Sequence, residues 1–259
     1  MAGAFLRRIL AHPLTASLDL DDPATTELRK RIIAKKPFLR AIYNEWYTLL
    51  ASNLPAGTAP VVELGSGAGF CAKLIPGLIT SEVFPCSNAR LVLDARALPF
   101  SSNSLRSIVM TNVLHHLPDA RGFFTEAVRC LAPGGKILTI EPWVTPWSRF
   151  VYSRLHHEAF APQADNWAFN GDRPLSAANI ALPWIIFSRE KQLFESDFPD
   201  LRVEQIRPFL PFRYLVSGGV GLRSLMPAFS YGLWSVLERK LESQMHRLAM
   251  FAFISVVRR

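Results

Sequence analysis

One acid and three glycines form the pattern in this sequence that points most directly to chemistry. An apolar run ends on Glu63, and Gly65, Gly67 and Gly69 then follow at every second position. Glycine allows a positive φ and lets a ligand approach the main chain, while a helix start offers unpaired N–H groups and a positive dipole end. The pattern predicts a strand, a tight turn and a helix start that together bind a nucleotide-type ligand.

The spacing of the glycines restricts the kind of nucleotide. A dinucleotide fingerprint, G-x-G-x-x-G, needs its last glycine at the position where this chain has Phe70. Glu63 stands two residues before the first glycine, where it would repel a pyrophosphate and attract a cationic ligand. The lysine and hydroxyl residue of a P-loop are missing as well. A purely structural strand-to-helix turn would use the same glycines, so the turn alone leaves both interpretations open.

Further polar residues follow the next apolar runs. Glu82 ends a second predicted strand, residues 77–82, about 20 residues past the turn, where a carboxylate can bind both ribose hydroxyls. Asp94, Asn112 and Glu141 follow the third, fourth and fifth runs. Short β-branched runs alternate with helix-length segments, which predicts βαβ crossovers and a parallel sheet covered on both faces. Polar residues after parallel strands would gather on one rim of that sheet.

These segments, in this order and spacing, resemble the class I S-adenosylmethionine-dependent methyltransferases. The resemblance rests on the acid and glycine turn, the acids after the second and third strands, the paired histidines of Leu114–Leu117, and the Pro133–Gly135 turn. It covers residues 61–141, about a third of the chain. One departure is Arg106, at a fourth-strand position where the family usually has an acid; that position is more often surface than site.

The resemblance implies an α/β fold, Rossmann-like and doubly wound, whose mostly parallel sheet has an antiparallel last strand and helical insertions. It also implies the cofactor S-adenosylmethionine, whose sulfonium and ammonium suit an acidic turn. Asp94 and Ala95 would flank the adenine. The implied cofactor-binding residues are Glu63, Gly65, Ser66, Gly67, Glu82, Asp94, Ala95 and Asn112.

Composition limits the class of protein. The chain has 259 residues, 49% of them hydrophobic and 19% charged, which excludes a disordered protein. Cys71, Cys86 and Cys130 form no C-x-x-C pair, which indicates reduced thiols inside a cell and no metal site. The net charge of +8 suits an anionic membrane surface or an acidic substrate, and a solvated basic face explains it equally well.

Other partners and locations are disfavoured. DNA and RNA amino-methyltransferases of this fold carry an Asn/Asp-Pro-Pro-aromatic stretch where this chain has Asn112–His115, so no nucleic-acid partner is predicted. Arg7 and Arg8 interrupt the first apolar stretch, leaving too short a core for a signal peptide. No window reaches the roughly 18 apolar residues of a spanning helix. A cytoplasmic protein is predicted, with peripheral membrane contact left open.

We expect one methyltransferase domain over residues 1–259, with a helical cap at 25–50, a cofactor-binding core at 61–141, and substrate or lid insertions at 142–200 and 208–249. The cap should comprise one or two helices broken near Pro37. Its Tyr43, Trp46 and Tyr47 could cover the cofactor through cation–π contact, although a helix-packing stripe is the more common explanation.

Three structural expectations concern the second half of the chain. Ser188 is predicted to cap a helix over residues 188–195. A second helix is expected at 233–248. Residues 201–206 and 248–257 should form the sixth and last strands, paired as a hairpin, and the segment between them resembles a lid or membrane-contacting loop, unless it packs on the core.

A histidine base is the natural choice if the acceptor must lose a proton. His116 is the best placed by sequence; a helix-start histidine bonded to the backbone is the equally strong alternative. His157 and its neighbour His156 are the other candidates, and Glu158 could orient one of them.

The sequence therefore predicts methyl transfer to a small, apolar or lipid-like acceptor. A cofactor-binding interaction subunit without catalysis is the alternative, and an NAD-dependent reductase is disfavoured by Phe70. Oxygen, nitrogen and carbon acceptors remain open, because methyltransferases of all three kinds share the matched segments.

Overall fold

The centre of the molecule is a seven-stranded sheet, seen in a computed structural model that describes residues 23–156, 158–169 and 177–259. The strand order is β3-β2-β1-β4-β5-β7-β6. Strands β1 to β5 run parallel, and β7 lies antiparallel to both β5 and β6. The strands are β1 Val61–Leu64, β2 Ile79–Glu82, β3 Leu91–Val92, β4 Leu105–Thr111, β5 Leu131–Pro142, β6 Leu201–Phe209 and β7 Phe251–Arg258. The predicted parallel sheet with an antiparallel last strand is confirmed.

Burial on both faces explains why the central strands are nearly continuous apolar runs. All of β1 is buried, as are six of the eight residues of β7. Neighbouring strand residues enter different apolar clusters: Ile108 packs with Phe123 and Phe124, whereas Val109 packs with Trp46. Side chains alternate across a strand, so the two clusters lie on opposite faces of the sheet.

The helices cover these faces and extend beyond the sheet. They are α1 Pro23–Lys35, α2 Pro37–Ser52, α3 Ala120–Cys130, α4 Pro146–Leu155, α5 Leu182–Trp184, α6 Lys191–Asp197, α7 Arg213–Ser217, α8 Tyr231–Lys240 and α9 Met245–Leu248. Single 3-10 turns occur at Cys71–Lys73, Leu114–His116, Ala228–Ser230 and Glu242–Gln244, and a π-helical turn at Ile185–Arg189. In the described part of the chain, none of the helices combines the length and apolarity needed to cross a bilayer.

The helix boundaries have local causes. Lys36 separates α1 from α2 with φ −108° and ψ 88°, because the residue before a proline is driven out of the helical region. The predicted break near Pro37 is confirmed. Asp119 caps α3 by accepting from the Gly122 N–H at 3.0 Å, and Thr145 caps α4 in a reciprocal arrangement with Ser148.

Three helix predictions were wrong. The glycine turn leads into a single 3-10 turn, Cys71–Lys73, and not into an α-helix, because the connection to β2 is short and Pro76 near its end cannot continue a helix. Ser188 lies inside the π-helical turn, and α6 begins at Lys191 without a side-chain cap. The predicted helix 233–248 is divided, since α8 ends at Lys240 and α9 starts only at Met245.

Candidate active site

The polar residues that follow the apolar runs lie at one edge of the sheet. Because β1 to β5 are parallel, their carboxyl ends share that edge, which is where ligands bind in open α/β sheets. Each belongs to a different strand end. They are Glu63, Glu82, Asp94, Asn112 and Glu141.

The glycine turn keeps this edge open. Gly65, Gly67 and Gly69 have φ values of 64°, 50° and 70°, which L side chains rarely adopt. A Cβ on Gly65 would lie 2.5 Å from a Val113 methyl, so bulk is excluded there. A Cβ on Gly67 would meet nothing closer than 3.9 Å. The backbone at Gly67 is therefore exposed to a space that a ligand could occupy.

Glu82, at the end of β2, forms a hydrogen bond with the glycine turn. Its Oε1 accepts the Gly67 N–H at 2.6 Å, and its burial raises the pKa of the carboxyl. Ser66 adds a second link, since its N–H donates to the Ser81 carbonyl at 2.9 Å and its Oγ accepts the Ser81 N–H at 3.0 Å. The turn is thus fixed on β2 before any ligand arrives.

Glu63 is the most perturbed acid of this edge. It is 2% exposed, and burial raises its pKa to about 8. Its Oε2 has no hydrogen-bond partner in the part of the chain that the structure describes. A buried acceptor without a donor is costly, and a cationic ligand would relieve that cost.

Asn112 follows β4 in a strained conformation. Its φ is 57°, although its N–H still donates to the Ile140 carbonyl at 2.9 Å. The buried Oδ1 of Asn112 and Oγ1 of Thr111 find no hydrogen-bond partner within the described ranges. Strained backbone with unsatisfied polar atoms is concentrated at ligand sites.

Asp94 and Ala95 lie at the β3 end of the same edge. The Asp94 carboxylate accepts from the Arg96 guanidinium, with Nη2 to Oδ2 at 2.7 Å, and this hydrogen bond lowers its pKa. Both side chains of that pair are nearly half exposed. Ala95 is 9% exposed and packs in the apolar cluster that contains Leu98.

His115 and Glu141 form a buried pair beside Asn112. His115 Nδ1 lies 2.7 Å from Glu141 Oε2, and the second carboxylate oxygen accepts the N–H groups of Val113 and Leu114 at 2.9 and 2.8 Å. Burial acts to lower the pKa of His115, but hydrogen bonds to Glu141 and Glu158 raise it to about 9. The pKa of Glu141 is lowered: burial opposes this shift, and the bond to His115 outweighs it.

His116 and Glu158 complete this cluster. Glu158 lies 3.6 Å from His115 Nε2 and 3.9 Å from His116 Nε2. Burial, reinforced by the charge of His115, lowers the pKa of His116 to about 4. His156 accepts the Glu158 N–H at 3.3 Å. His157 lies outside the described residues.

The sequence was compared with known proteins. Residues 62–139, from β1 to β5, match the family model described as a methyltransferase domain. This span holds the acidic glycine turn and four of the five strand-end polar residues. Residues 62–139 therefore form a methyltransferase domain, consistent with the class I S-adenosylmethionine-dependent methyltransferase family. No curated protein matches it by sequence.

Two solved structures resemble this methyltransferase over most of its length. One is geranyl diphosphate C-methyltransferase from Streptomyces coelicolor, in complex with Mg²⁺, geranyl-S-thiolodiphosphate and S-adenosylhomocysteine. It is 14% identical in sequence, the match covers 96% of this chain and 87% of that chain, and the TM-score is 0.52. The other is a complex of the Haloferax volcanii Trm112 methyltransferase activator with a candidate methyltransferase, with 14% identity, 93% and 99% covered, and a TM-score of 0.52. At these identities the likeness shows a shared fold.

Helices α1 and α2 lie near the carboxyl edge of the sheet. Lys30 in α1 donates to Asn88, whose Nδ2 lies 3.4 Å from the Gly67 carbonyl. Trp46 is fully buried and stacks on Tyr214 with centroids 5.7 Å apart. Trp46 therefore fits the alternative of a helix-packing residue. Tyr43 lies 5.1 Å from the Trp46 ring and is hydrogen-bonded to Tyr214.

Tyr47 differs from its neighbours on α2. It is 3% exposed, and the negative charge of Glu63 adds to burial in raising the pKa of Tyr47 well above its usual range. This places one aromatic side chain of α2 near the buried acid Glu63.

Sequence reasoning missed His115 and Thr111 as candidate site residues. The signal for both was present, because they flank Asn112 at the end of β4. Only His116 was selected from the histidine pair, since sequence alone does not show which ring faces Glu141.

Proposed function

We propose that this methyltransferase transfers the methyl group of S-adenosylmethionine to a small, apolar acceptor at the carboxyl edge of the sheet. The observation that carries the proposal is the pair of buried acids, Glu63 and Glu82, on either side of an open glycine turn. The cofactor brings an ammonium, a sulfonium and ribose hydroxyls to such a site. Carboxyl oxygens and exposed backbone suit all three groups, and the ammonium favours ionisation of the acid that it contacts.

Each cofactor group has a proposed ligand. Glu63 receives the ammonium, because its Oε2 lacks a partner among the residues described. Glu82 binds the ribose while Oε1 holds the turn. Asn112 offers its unsatisfied Oδ1. The full proposed set is Glu63, Gly65, Ser66, Gly67, Glu82, Asp94, Ala95 and Asn112.

An aromatic wall supports an apolar acceptor. Tyr152 lies with its ring 5.8 Å from His156 and 5.8 Å from Phe160, near Glu158. Methyl transfer needs the acceptor and the methyl group in line within a dry pocket, and aromatic side chains exclude water without imposing polar contacts.

In the metal-free protein, proton removal from the acceptor is assigned to His116, with His157 as the second candidate. His116 Nδ1 faces the Ala177 carbonyl at 3.2 Å, which leaves Nε2 for the acceptor. Its lowered pKa keeps the ring neutral at pH 7 but weakens it as a base. Glu158, 3.9 Å from Nε2, would stabilise the imidazolium that forms.

The cofactor site is tested with a matched pair of glycine variants. Gly67 and Gly134 both have a positive φ, 50° and 78°, and neither has a close neighbour to its Cβ position. Gly134 lies at the opposite end of β5 from the site. Calorimetric titration with S-adenosylhomocysteine should show binding by the wild type and by Gly134→Arg, and none by Gly67→Arg. Binding by both variants, or by no form, would contradict the proposed site.

A surface of α8 supports peripheral membrane contact. Phe229 is 90% exposed and Leu233 73%, and Val236 and Leu237 continue the same helical face. Glu238, on the opposite face of α8, is buried and forms an ion pair with Arg213. Exposed Arg239 and Lys240 follow the apolar residues at the C-terminal end of α8. Apolar side chains bordered by cations suit an anionic bilayer from which a lipid-like acceptor could enter.

Liposome sedimentation tests this surface. Leu233→Ser combined with Phe229→Ser should abolish sedimentation with vesicles that contain anionic lipid, while Val92→Ser, which removes another exposed apolar side chain, should not. Equal sedimentation of the double variant would refute the membrane surface. A third outcome is that both variants still sediment with anionic vesicles, while the wild type does not sediment with neutral ones. That result would indicate that the net charge of +8 alone is responsible.

A further inference from the structure

Three side chains beside the proposed acceptor pocket point their ligand atoms at one place. One ligand atom from each of His115, His116 and Glu158 lies within 4.8 Å of the other two. Glu158 Oε2 is 3.6 Å from His115 Nε2, and its other oxygen, Oε1, is 3.9 Å from His116 Nε2. Two imidazoles and one carboxylate are a common ligand set for zinc and other divalent transition metals.

The orientation of the His115 ring is set by a contact of its Nδ1. Its Nδ1 lies 2.7 Å from Glu141 Oε2. Glu141 is itself held, because its Oε1 accepts from the Val113 and Leu114 N–H groups and from Thr139 Oγ1 at 2.9 Å. A carboxylate that accepts the Nδ1–H of a histidine and leaves Nε2 for the metal is the usual outer-shell arrangement at such sites.

The ring of His116 is fixed in the same sense. Its Nδ1 lies 3.2 Å from the Ala177 carbonyl, which can only accept a hydrogen bond. The proton of the neutral ring is therefore on Nδ1, and the Nε2 lone pair faces Glu158. His116 thus presents its Nε2 lone pair to the Glu158 carboxylate, and on His115 a metal ion would replace the Nε2 proton that faces the same carboxylate.

We propose that His115, His116 and Glu158 bind one divalent transition metal ion, with Glu141 and the Ala177 carbonyl as outer-shell supports. Ligand atoms about 2.0–2.1 Å from a tetrahedral zinc are about 3.3 Å apart. The observed separations, 3.6 Å to Oε2 of Glu158 and 3.9 Å to its Oε1, exceed that spacing by about 0.3 and 0.6 Å. The expectation of no metal site was drawn from cysteine spacing, which these ligands do not involve.

Three protein ligands leave a coordination position open. A bound metal would occupy the His116 lone pair, so the metal and the base role of His116 exclude each other. An acceptor oxygen in the open position would have its pKa lowered by the metal, which achieves the same ionisation. This consequence depends on the proposed methyl transfer, whereas the metal site does not.

Metal titration of the untagged, chelator-treated protein tests the site. Zn²⁺, measured by calorimetry and by competition with a chromophoric chelator, should bind at one equivalent, and Co²⁺ should give the visible absorption of a tetrahedral complex. Glu158→Gln should lose this binding, and Glu141→Gln should weaken it about 10–100-fold. His246→Gln, which removes an exposed histidine that is not part of the cluster, should bind like the wild type.

The outcomes separate this inference from the proposed function. Absence of binding by the wild type, or equal affinity in Glu158→Gln with an unchanged unfolding transition, would overturn the metal site and indicate that a proton alone lies between these groups. S-adenosylhomocysteine is titrated in parallel. Metal binding without binding of S-adenosylhomocysteine would overturn the proposed cofactor site and leave the metal site intact.

Discussion

Replacing Glu63 with glutamine should have opposite effects on stability and on cofactor binding. Glu63 is 2% exposed and its pKa is raised to about 8 from an ordinary value of 4.5. In the free protein it is therefore protonated at pH 7. Glutamine has the same shape and no charge, so the substitution removes only the ability to ionise.

The effect on stability has a definite sign. Because the pKa is higher in the folded chain, the contribution of Glu63 to the free energy of unfolding is greatest below pH 4.5 and is lost as the pH rises towards 8. Each pH unit corresponds to about 1.4 kcal/mol, so the loss between pH 4.5 and pH 7 is about 3 kcal/mol. Glu63→Gln lacks this loss. Urea denaturation should give equal stability at pH 4.5 and a more stable variant at pH 7.

Cofactor binding should respond in the other direction. The ammonium of S-adenosylhomocysteine favours the ionised carboxylate, so binding at pH 7 releases a proton, and the wild-type affinity should rise about tenfold per pH unit between pH 6 and pH 8. The affinity of Glu63→Gln should stay flat over that range and be about 2 kcal/mol weaker, roughly 30-fold, at pH 8. Calorimetry in buffers of different ionisation enthalpy measures the released proton. A wild-type affinity independent of pH would refute the assignment of Glu63.

Two further predictions concern stability. Arg213→Ala should lower the free energy of unfolding by about 3–5 kcal/mol in urea denaturation, because it leaves Glu238 as a buried unpaired carboxylate; a loss below about 1 kcal/mol would contradict this. Gly65→Ala should destabilise by about 1–3 kcal/mol more than Gly134→Ala, since both positions have positive φ but only Gly65 meets the Val113 methyl at 2.5 Å. Equal losses would show that Val113 moves aside.

Strand positions and the break near Pro37 could be predicted because their causes are local. A continuous apolar run favours a strand buried on both faces, wherever it occurs in the chain. A proline restricts the backbone conformation of the residue before it. The helix that was expected after Gly69 failed for a different reason. Glycine turns of this kind usually precede a helix, but here the distance to β2 along the chain decides the connection. Ser188 failed similarly, because the packing of Ile185 and Phe187 in the core holds its segment in a π-helical turn.

The sequence by itself determined the acidic glycine turn, the polar residues at the strand ends and the family. These features depend on neighbours within a few positions, and the parallel sheet brings its carboxyl ends together without further information. Only the tertiary structure joined His115 to Glu141, which is 26 residues away, and to Glu158 in the following insertion. Such contacts depend on how loops return to the sheet and which way each ring turns. No local propensity specifies this, because it follows from packing of the whole chain.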